Sequence, residues 1–252
     1  MHPKWTHRYE LKPGRWVFQP SPEAKDIGTK IKTQVEGVWT APDYFFHLRA
    51  GGHVRALQMH MGQTSFLHLD IQDFFGCVNR SRVTRCLTPH FGYTSARQIA
   101  NHSTVRHPAE FGKFILPYGF VQSPLLASLA LDQSKLGRCL SKLRSDGYCI
   151  SVYVDDIIIS SVNDSALHAC LPEIQRAAES AKFVLNQTKQ QGPGPMVTAF
   201  NIELRHGYLN LQLKRFNEFK CAYQATNNSH EKNGIFGYVQ AVNPSQAVNL
   251  NT

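Results

Sequence analysis

The chain has 252 residues, and its 27 lysine and arginine side chains outnumber its 18 aspartate and glutamate side chains by nine. The hydrophobic fraction of 42% is enough for a sizeable core, so the composition excludes a chain that is disordered throughout. No window of about 18 uninterrupted apolar residues is present, and we therefore expect a cytoplasmic protein that has no membrane partner. The net charge of +9 favours a polyanionic partner, nucleic acid first.

The N-terminal quarter contains two predicted segments. Residues 1–43 hold many prolines and few periodic apolar positions, which predicts an extended N-terminal arm. From Tyr44 to Met61, apolar and polar residues alternate on both sides of Gly51-Gly52. This alternation predicts a β-hairpin that carries Arg49 and Arg55.

The middle of the chain predicts one strand and three helices. The β-rich run from Ser65 to Leu69 ends at Asp70. Helices are predicted from Asn79 to about Leu87 and from Ser95 to Ser103. A longer helix is predicted from Pro124 to about Leu143, because proline is favoured in the first turn of a helix.

The last hundred residues predict hairpins and helices. Two β-rich runs flank Asp155-Asp156, which predicts a hairpin with acidic residues at its tip. A helix from Asp164 to about Lys182, a further hairpin and a mostly helical tail from Lys214 follow. The order of elements lacks strict βαβ alternation and favours an α+β fold with an antiparallel sheet.

Three aspartates stand where the sequence is otherwise apolar. Asp70 ends a strand, and Asp155 and Asp156 lie between two β-rich runs. A buried carboxylate that has no partner is costly, so these positions indicate a bound cation if neighbouring strands bring them together. Carboxylate oxygens suit Mg²⁺, although Asp155-Asp156 can also be read as an ordinary turn.

Segments around these aspartates form a recognisable series. In chain order they are Leu69-Asp70-Ile71-Gln72-Asp73-Phe74-Phe75, the LPYGFVQSP segment at residues 116–124, Tyr153-Val154-Asp155-Asp156, the NQTK segment at residues 186–189, and the run from Phe200 to Leu204. They closely resemble the motifs of the reverse transcriptase family and occur in the order that the family has. The resemblance covers about residues 44 to 215.

The resemblance implies a right-hand polymerase palm. Its RRM-like antiparallel sheet would be backed by helices, with short fingers and a minimal thumb. Residues 1–43 would form the N-terminal arm, residues 44–213 the fingers and palm, and residues 214–252 a small thumb-like helical tail. The implied reaction is RNA-templated addition of dNTPs to a 3′-hydroxyl with two Mg²⁺ ions, giving a DNA product.

The resemblance also assigns metal ligands. Asp70 would bridge both Mg²⁺ ions, Asp155 would complete the pair, and Asp156 would assist from nearby. The carbonyl group of Ile71 would be an additional ligand. These four residues form the expected catalytic and metal site.

Other matched residues would contact the nucleotide. Phe75 corresponds to the family's steric gate, which clashes with a ribose 2′-hydroxyl. Tyr118 stands where the family usually has glutamine, so its contact departs from the family pattern. Gly119, Gln122 and Ser123 complete the segment that lines the nucleotide site.

Basic residues would contact the phosphates. Lys189 matches a late family motif and would neutralise or protonate the departing pyrophosphate. Arg49 and Arg55 would clamp the triphosphate, since guanidinium groups bind phosphate in a bidentate fork. The same two arginines could equally hold the template backbone.

The subgroup and the partners follow from finer similarities. The segments GFVQSPLLASLAL, FFGCVNRSRV and VNPSQA are more similar to bacterial retron and phage-defence reverse transcriptases than to viral ones. This likeness implies antiviral defence with a dedicated noncoding RNA. A small thumb further implies a partner protein or a homo-oligomer. Two alternatives remain open: an RNA-dependent RNA polymerase, and a catalytically spent RNA-binding scaffold subunit.

Overall fold

The computed structural model describes residues 4–250, so residues 1–3 of the predicted arm and residues 251–252 of the predicted tail lie outside the described residues. The elements of the first half are β1 (Trp5–Lys12), β2 (Arg15–Pro20), α1 (Pro22–Glu36), a 3-10 helix (Phe46–Leu48), α2 (Gly52–Gln58), β3 (Ser65–Asp70), α3 (Arg80–Ser103), β4 (Val105–Arg106) and β5 (Phe114–Ile115). The elements of the second half are α4 (Ser123–Asp132), α5 (Lys135–Ser145), β6 (Cys149–Tyr153), β7 (Asp156–Ser161), α6 (Asp164–Ser180), β8 (Gln191–Gly194), β9 (Met196–Ala199), β10 (Ile202–Arg205), β11 (Tyr208–Leu211), α7 (Leu213–Ala225), α8 (Ser229–Val242) and α9 (Pro244–Val248).

A four-stranded antiparallel sheet with the strand order β6-β7-β3-β8 occupies the centre of the fold. Successive side chains of a strand point to opposite faces. Leu67 and Leu69 of β3 therefore pack in the core that includes residues of α4, α5 and α6, whereas Phe66 packs in a second core with β9, β10, β11 and α8. The predicted α+β fold with an antiparallel sheet is confirmed.

The register of this sheet positions its acidic residues. The predicted acidic hairpin is confirmed, because β6 pairs with β7 and only the Val154-Asp155 turn separates them. β3 pairs with β7 on the other side, and this pairing puts Asp70 directly opposite Asp156. Two strands that are distant in the sequence thus bring their acidic ends to one edge of the sheet.

The hairpin predicted from Tyr44 to Met61, which was to carry Arg49 and Arg55, is wrong. The segment forms the 3-10 helix and α2 instead. Gly51, with φ of +93°, is the N-cap of α2, so the glycine pair starts a helix rather than turning a hairpin. Val54 and Leu57 are both buried, and their spacing of three residues is helical rather than that of a strand.

The N-terminal segment is more regular than the predicted extended arm. β1 and β2 form an antiparallel hairpin, with Gly14 in the turn at φ of +79°. Helix α1 follows, and the Ser21 Oγ caps it by accepting a hydrogen bond from the Ala24 amide. Two of the prolines that indicated irregular chain instead mark element ends, because Pro20 is the last residue of β2 and Pro22 is the first residue of α1. The Phe18 amide donates to the Tyr118 carbonyl at 2.9 Å and thereby attaches the hairpin to the rest of the fold.

The helices differ from the prediction in their breaks. α3 contains both predicted helices, joined at Gly92, whose φ of 71° and ψ of 163° are not helical. The single helix predicted from Pro124 to Leu143 is two helices, because the Ser134 Oγ accepts a hydrogen bond from the Gly137 amide and starts α5 anew. None of the helices among residues 4–250 combines the length and apolar character that a membrane span requires.

The C-terminal part packs a small sheet against helices. β9, β10 and β11 form an antiparallel sheet whose buried residues share a core with Val239 and Val242 of α8. Helix α7 has no buried residue, and its first residue, Leu213, is 74% exposed. Helix α7 therefore lies at the surface of the C-terminal part of the fold. The domain boundaries at residues 43 and 213 stay predictions.

Candidate active site

The three predicted catalytic aspartates meet at one edge of the central sheet. Asp70 is the last residue of β3 and lies opposite Asp156, the first residue of β7. The amide of Ile71 donates to the carbonyl of Asp155 at 2.8 Å, which ties the end of β3 to the turn before β7. Asp70 is only 3% exposed, so its carboxylate requires a partner.

Asp70 finds that partner in Lys189. The Lys189 Nζ lies 2.6 Å from Asp70 Oδ2, and this hydrogen bond raises the pKa of the lysine. The backbone supports the contact, since the Asn186 amide donates to the Asp70 carbonyl at 2.8 Å. The predicted late-motif lysine therefore reaches the aspartates from the segment that precedes β8.

Asp156 is held by a histidine of the neighbouring strand. His68 Nε2 lies 2.6 Å from Asp156 Oδ1, and His68 stands two residues before Asp70 on the same face of β3. The other ring nitrogen of His68 is buried and has no hydrogen-bond partner among the described residues. This contact fixes the orientation of the Asp156 carboxylate.

The surroundings of Asp155 disfavour the charged form of its carboxyl. Burial raises the pKa of its carboxyl to about 6, and the negative charges of Asp156 and Asp70 add to the effect, while Arg15 opposes it at 3.6 Å. The edge of the sheet thus holds more negative charge than its neighbours neutralise. This excess, together with oxygen-only donors, fits a hard divalent cation such as Mg²⁺. Among residues 4–250, however, no three acidic, histidine or cysteine side chains already form a closed metal-binding group.

A partly buried histidine supports the turn that carries Asp155. Val154 has φ of +61°, a left-handed conformation that is costly for a β-branched residue. The Val154 amide donates to His47 Nδ1 at 3.0 Å. On the other side of the ring, His47 Nε2 lies 2.6 Å from the Ser128 Oγ, which itself donates to the Pro124 carbonyl. Burial lowers the pKa of His47 to about 4, so the ring is neutral at pH 7. His47 therefore connects the acidic turn to α4.

Aromatic and basic side chains lie beside the aspartates. The rings of Phe75 and Tyr118 meet edge to face, with centroids 4.6 Å apart. The Arg15 guanidinium lies 4.8 Å from the centre of the Tyr118 ring while it also contacts Asp155. Burial raises the pKa of the Tyr118 hydroxyl to about 12, so this side chain stays neutral.

The remaining predicted residues of the LPYGFVQSP segment have different structural roles. Gly119 has φ of +101°, and a β-carbon there would lie 2.3 Å from the Phe18 carbonyl oxygen, so only glycine lets β2 approach. Gln122 and Ser123 are each 1% exposed. The Gln122 Nε2 faces the Ser103 Oγ at 3.4 Å, which places this amide in the core. The structure does not bring these two side chains to the open surface of the site.

The two predicted phosphate-binding arginines make no hydrogen bond or ion pair with the three aspartates among residues 4–250. Arg49 is exposed, donates to the Asp43 carbonyl and lies 6.0 Å from the centre of the Phe46 ring. Arg55 is exposed on α2. Arg15 contacts Asp155 instead, and the sequence did not predict this residue. The signal was present, because alternating residues flank Pro13-Gly14 as they do in a hairpin.

Solved structures define the class of fold. Residues of this chain superpose on telomerase from Candida albicans, described in complex with a fragment of telomeric RNA, with a TM-score of 0.55. The superposition covers 89% of this chain and 47% of that chain, at 9% sequence identity. The fold is therefore that of a polymerase domain of the reverse transcriptase and telomerase type, as the sequence predicted.

Sequence comparison identifies the family. A family model described as reverse transcriptase (RNA-dependent DNA polymerase) matches residues 11–193, and the chain belongs to this family. The chain is 27% identical over 213 residues to the retron Mx65 reverse transcriptase of Myxococcus xanthus, which confirms the predicted retron-like bacterial affinity. This match covers 76% of the chain and 49% of the relative, so the chain spans about half the length of that protein.

Proposed function

We propose that the chain is an RNA-directed DNA polymerase that adds deoxynucleotides to a 3′-hydroxyl on an RNA template. The observation that carries this proposal is the meeting of Asp70, Asp155 and Asp156 at one edge of the sheet, where the pKa of Asp155 is raised to about 6. Clustered carboxylates of this kind hold the divalent cations that promote phosphoryl transfer to a hydroxyl. Membership of the reverse transcriptase family supports the same reaction.

The proposed cofactor is a pair of Mg²⁺ ions. Asp70, Asp155, Asp156 and the carbonyl of Ile71 are the proposed ligands, because all four supply oxygen donors. When bound, the ions would promote attack by the 3′-hydroxyl and offset the charge of the leaving pyrophosphate. The contacts of Lys189 and Arg15 with these carboxylates then have to loosen, which frees two cations for phosphate.

Two basic residues are placed to contact the nucleotide phosphates. The side chains of Lys189 and Arg15 are 55% and 36% exposed, so each can turn from its aspartate toward an incoming triphosphate. The guanidinium of Arg15 suits two phosphate oxygens, whereas Lys189 is a point charge suited to the departing pyrophosphate. Arg49 and Arg55 are exposed, and we propose them for contacts with the triphosphate or the template backbone.

The aromatic pair beside the aspartates is proposed to form the sugar and base pocket. Phe75 is 6% exposed and is held in place by the edge of the Tyr118 ring. A ring fixed in this way leaves no space for a ribose 2′-hydroxyl. We propose that Tyr118 and Gly119 line the nucleotide site directly, and that Gln122 and Ser123 support it from the core behind.

The direct test is primer extension by the purified chain. On an RNA template with a paired DNA primer and Mg²⁺, we expect incorporation of dNTPs in the order of the template and little incorporation of rNTPs. A preference for rNTPs would instead support an RNA-dependent RNA polymerase. Binding of RNA with no incorporation of either nucleotide would support the spent scaffold and contradict the proposal.

Sugar selection offers a sharper prediction. Replacing Phe75 by leucine removes most of the bulk at the proposed gate, so the ratio of kcat/KM for dNTP to that for rNTP should fall about 10- to 100-fold. Both nucleotides are measured on the same preparation. The ratio therefore does not depend on what fraction of the variant is correctly folded.

Phe74 provides a matched control for the gate. It is buried like Phe75 and its ring packs on both Phe75 and Phe183, at centroid distances of 5.7 and 6.0 Å, but Phe75 alone of the two meets Tyr118. Phe74→Leu should leave the dNTP to rNTP ratio within about twofold of the wild-type value. An equal change of the ratio in both variants would show that Phe75 is not the steric gate.

The partners are proposed from charge, length and resemblance. The net charge of +9 and the open helix α7 favour an RNA template, a DNA product and a further component that completes the groove. That component would be a dedicated noncoding RNA, a partner protein or a second copy of this chain. The sequence resemblance supports a role in bacterial antiviral defence, which we propose. Sequencing the nucleic acid that co-purifies from the host, together with the molar mass of the particle, tests these proposals.

A further inference from the structure

A small basic cavity lies on the side of the fold formed by α3, the α4–α5 break and the end of α6. Its volume is about 280 Å³. Five of its lining residues are lysine or arginine, and no aspartate or glutamate lines it: Arg82, Arg85, Lys135, Arg138 and Lys182. We call this cavity the basic pocket. It shares no residue with the proposed active site.

None of these five cations forms an ion pair within the part of the chain that the structure describes. Among residues 4–250, every ion pair involves other side chains. Four of the five are exposed and Arg82 is partly buried, so the repulsion among these like charges is largest at Arg82, where the effective dielectric constant is lowest. An anion in the basic pocket would relieve this repulsion.

Arg82 provides independent evidence for a missing partner. Its Nη2 donates to the Ala181 carbonyl at 2.6 Å, and its guanidinium lies 4.7 Å from the centre of the Phe183 ring, so the group is firmly placed. Its Nη1 is buried and has no hydrogen-bond partner among the described residues. A buried guanidinium donor without an acceptor is costly, and the lining of the basic pocket offers no carboxylate to satisfy it.

The backbone keeps the other cations at the rim. α5 begins at Lys135, so the positive end of its dipole faces the same region. The Arg138 Nη1 donates to the carbonyl of Gln133 at 3.0 Å, which holds this guanidinium over the α4–α5 break. Lys182 has φ of +58° immediately after α6, a conformation that the helix end imposes.

We propose that the basic pocket binds a phosphate group, contributed either by the backbone of an RNA or by a small free phosphate. Three arginines and two lysines exceed what one carboxylate needs, whereas phosphate presents several oxygens to guanidinium forks at once. The volume is several times the roughly 30 Å³ share of a water molecule and accommodates one or two phosphate groups. The chain would thus hold phosphate at a second place, away from its aspartates.

The test uses a pocket variant and a matched surface variant of the full chain. Lys135→Gln with Arg138→Gln removes two exposed charges from the rim of the basic pocket. Lys25→Gln with Lys30→Gln removes the same charge from the exposed side of α1. Arg82 is left intact because it packs against Phe183.

The first measurement is calorimetric titration with inorganic phosphate in a metal-free chloride buffer. The dissociation constant should rise about tenfold or more in the pocket variant and stay within about twofold in the surface variant. The second measurement is the salt dependence of binding to a single-stranded RNA. If the phosphate belongs to the RNA backbone, the negative slope of log K against log salt should become less steep by about 1.4 in the pocket variant only.

The two measurements together identify the source of the phosphate. A less steep salt dependence of RNA binding in the pocket variant indicates that the basic pocket binds the phosphates of an RNA backbone. Weaker phosphate binding with an unchanged salt slope assigns it to a small free phosphate. If the pocket variant and the surface variant behave alike in both measurements, the proposal is overturned. Neither measurement depends on polymerase activity.

Discussion

Replacing Asp155 by asparagine is expected to lower template-directed incorporation of dNTPs at least about 1,000-fold. The substitution keeps the shape of the side chain and removes the charge that burial and two neighbouring aspartates make most costly. The proposed cations would then lose a ligand at the centre of the site. Single-turnover primer extension with excess enzyme measures the effect, because it reports the chemical step without product release.

The same substitution should not weaken the fold. The folded state raises the pKa of Asp155 from 3.8 to about 6, so it binds this proton more tightly than the unfolded state does. The metal-free protein therefore loses stability as pH rises from about 4 to 6, and above that range the ionised carboxylate is a net cost. An asparagine side chain is neutral at every pH, so Asp155→Asn should be about 1–3 kcal/mol more stable than wild type at pH 7.

The control for Asp155 is a carboxylate of equal charge outside the site. Asp26 is exposed on α1, and Asp26→Asn should keep both the wild-type rate and the wild-type melting temperature. Asp155→Asn should keep its RNA affinity while it loses synthesis. Undiminished synthesis by a well-folded Asp155→Asn protein would rule out the proposed catalytic role.

The sequence predicted the acidic centre because its signals are local. Asp70 and the Asp155-Asp156 pair interrupt apolar β-rich runs, and such runs form buried strands whichever partner they find. The segment around Gly51-Gly52 is compatible with two periodicities. Its apolar and polar residues alternate as in a strand, but Val54 and Leu57 are three residues apart, as on one face of a helix. Only packing decided between hairpin and helix.

The supporting residues could not be found in this way. Asp156 lies 88 residues from His68, and the amide of Val154 lies 107 residues from His47. Single histidines in an amphipathic stretch look like ordinary core or surface residues. The hydrogen-bond partners of His68 and His47 depend on the register of β3 with β7 and on the packing of the 3-10 helix against β6. Both are properties of the assembled fold.

The largest expected effect away from the aspartates is at His47. Removing its ring by His47→Ala should lower kcat about 100-fold and leave the KM for dNTP nearly unchanged, because a displacement of about 1 Å at the reacting groups is enough for such a loss. The reason is the left-handed Val154, which directly precedes Asp155 and whose amide loses its acceptor. Steady-state primer extension separates the two constants.

Two further variants distinguish positioning of the turn from simple loss of stability. His47→Gln retains an acceptor for the Val154 amide and a donor for the Ser128 Oγ, so it should recover much of the lost rate. Val154→Gly in the His47→Ala background should also recover part of it, since glycine adopts φ of +61° without the cost that valine bears. A structural defect elsewhere would not respond to a glycine in the acidic turn.

The outcomes at His47 therefore separate two accounts of how the acidic turn is held. If the glycine rescues kcat, the hydrogen bond from Val154 to His47 stabilises a strained backbone that would otherwise relax and carry Asp155 with it. If His47→Ala keeps the wild-type kcat, the pairing of β6 with β7 alone fixes the turn, and His47 has no positioning role. Because the bond to Ser128 anchors His47 to α4, Ser128→Ala should shift kcat in the same direction by a smaller factor, about threefold to tenfold.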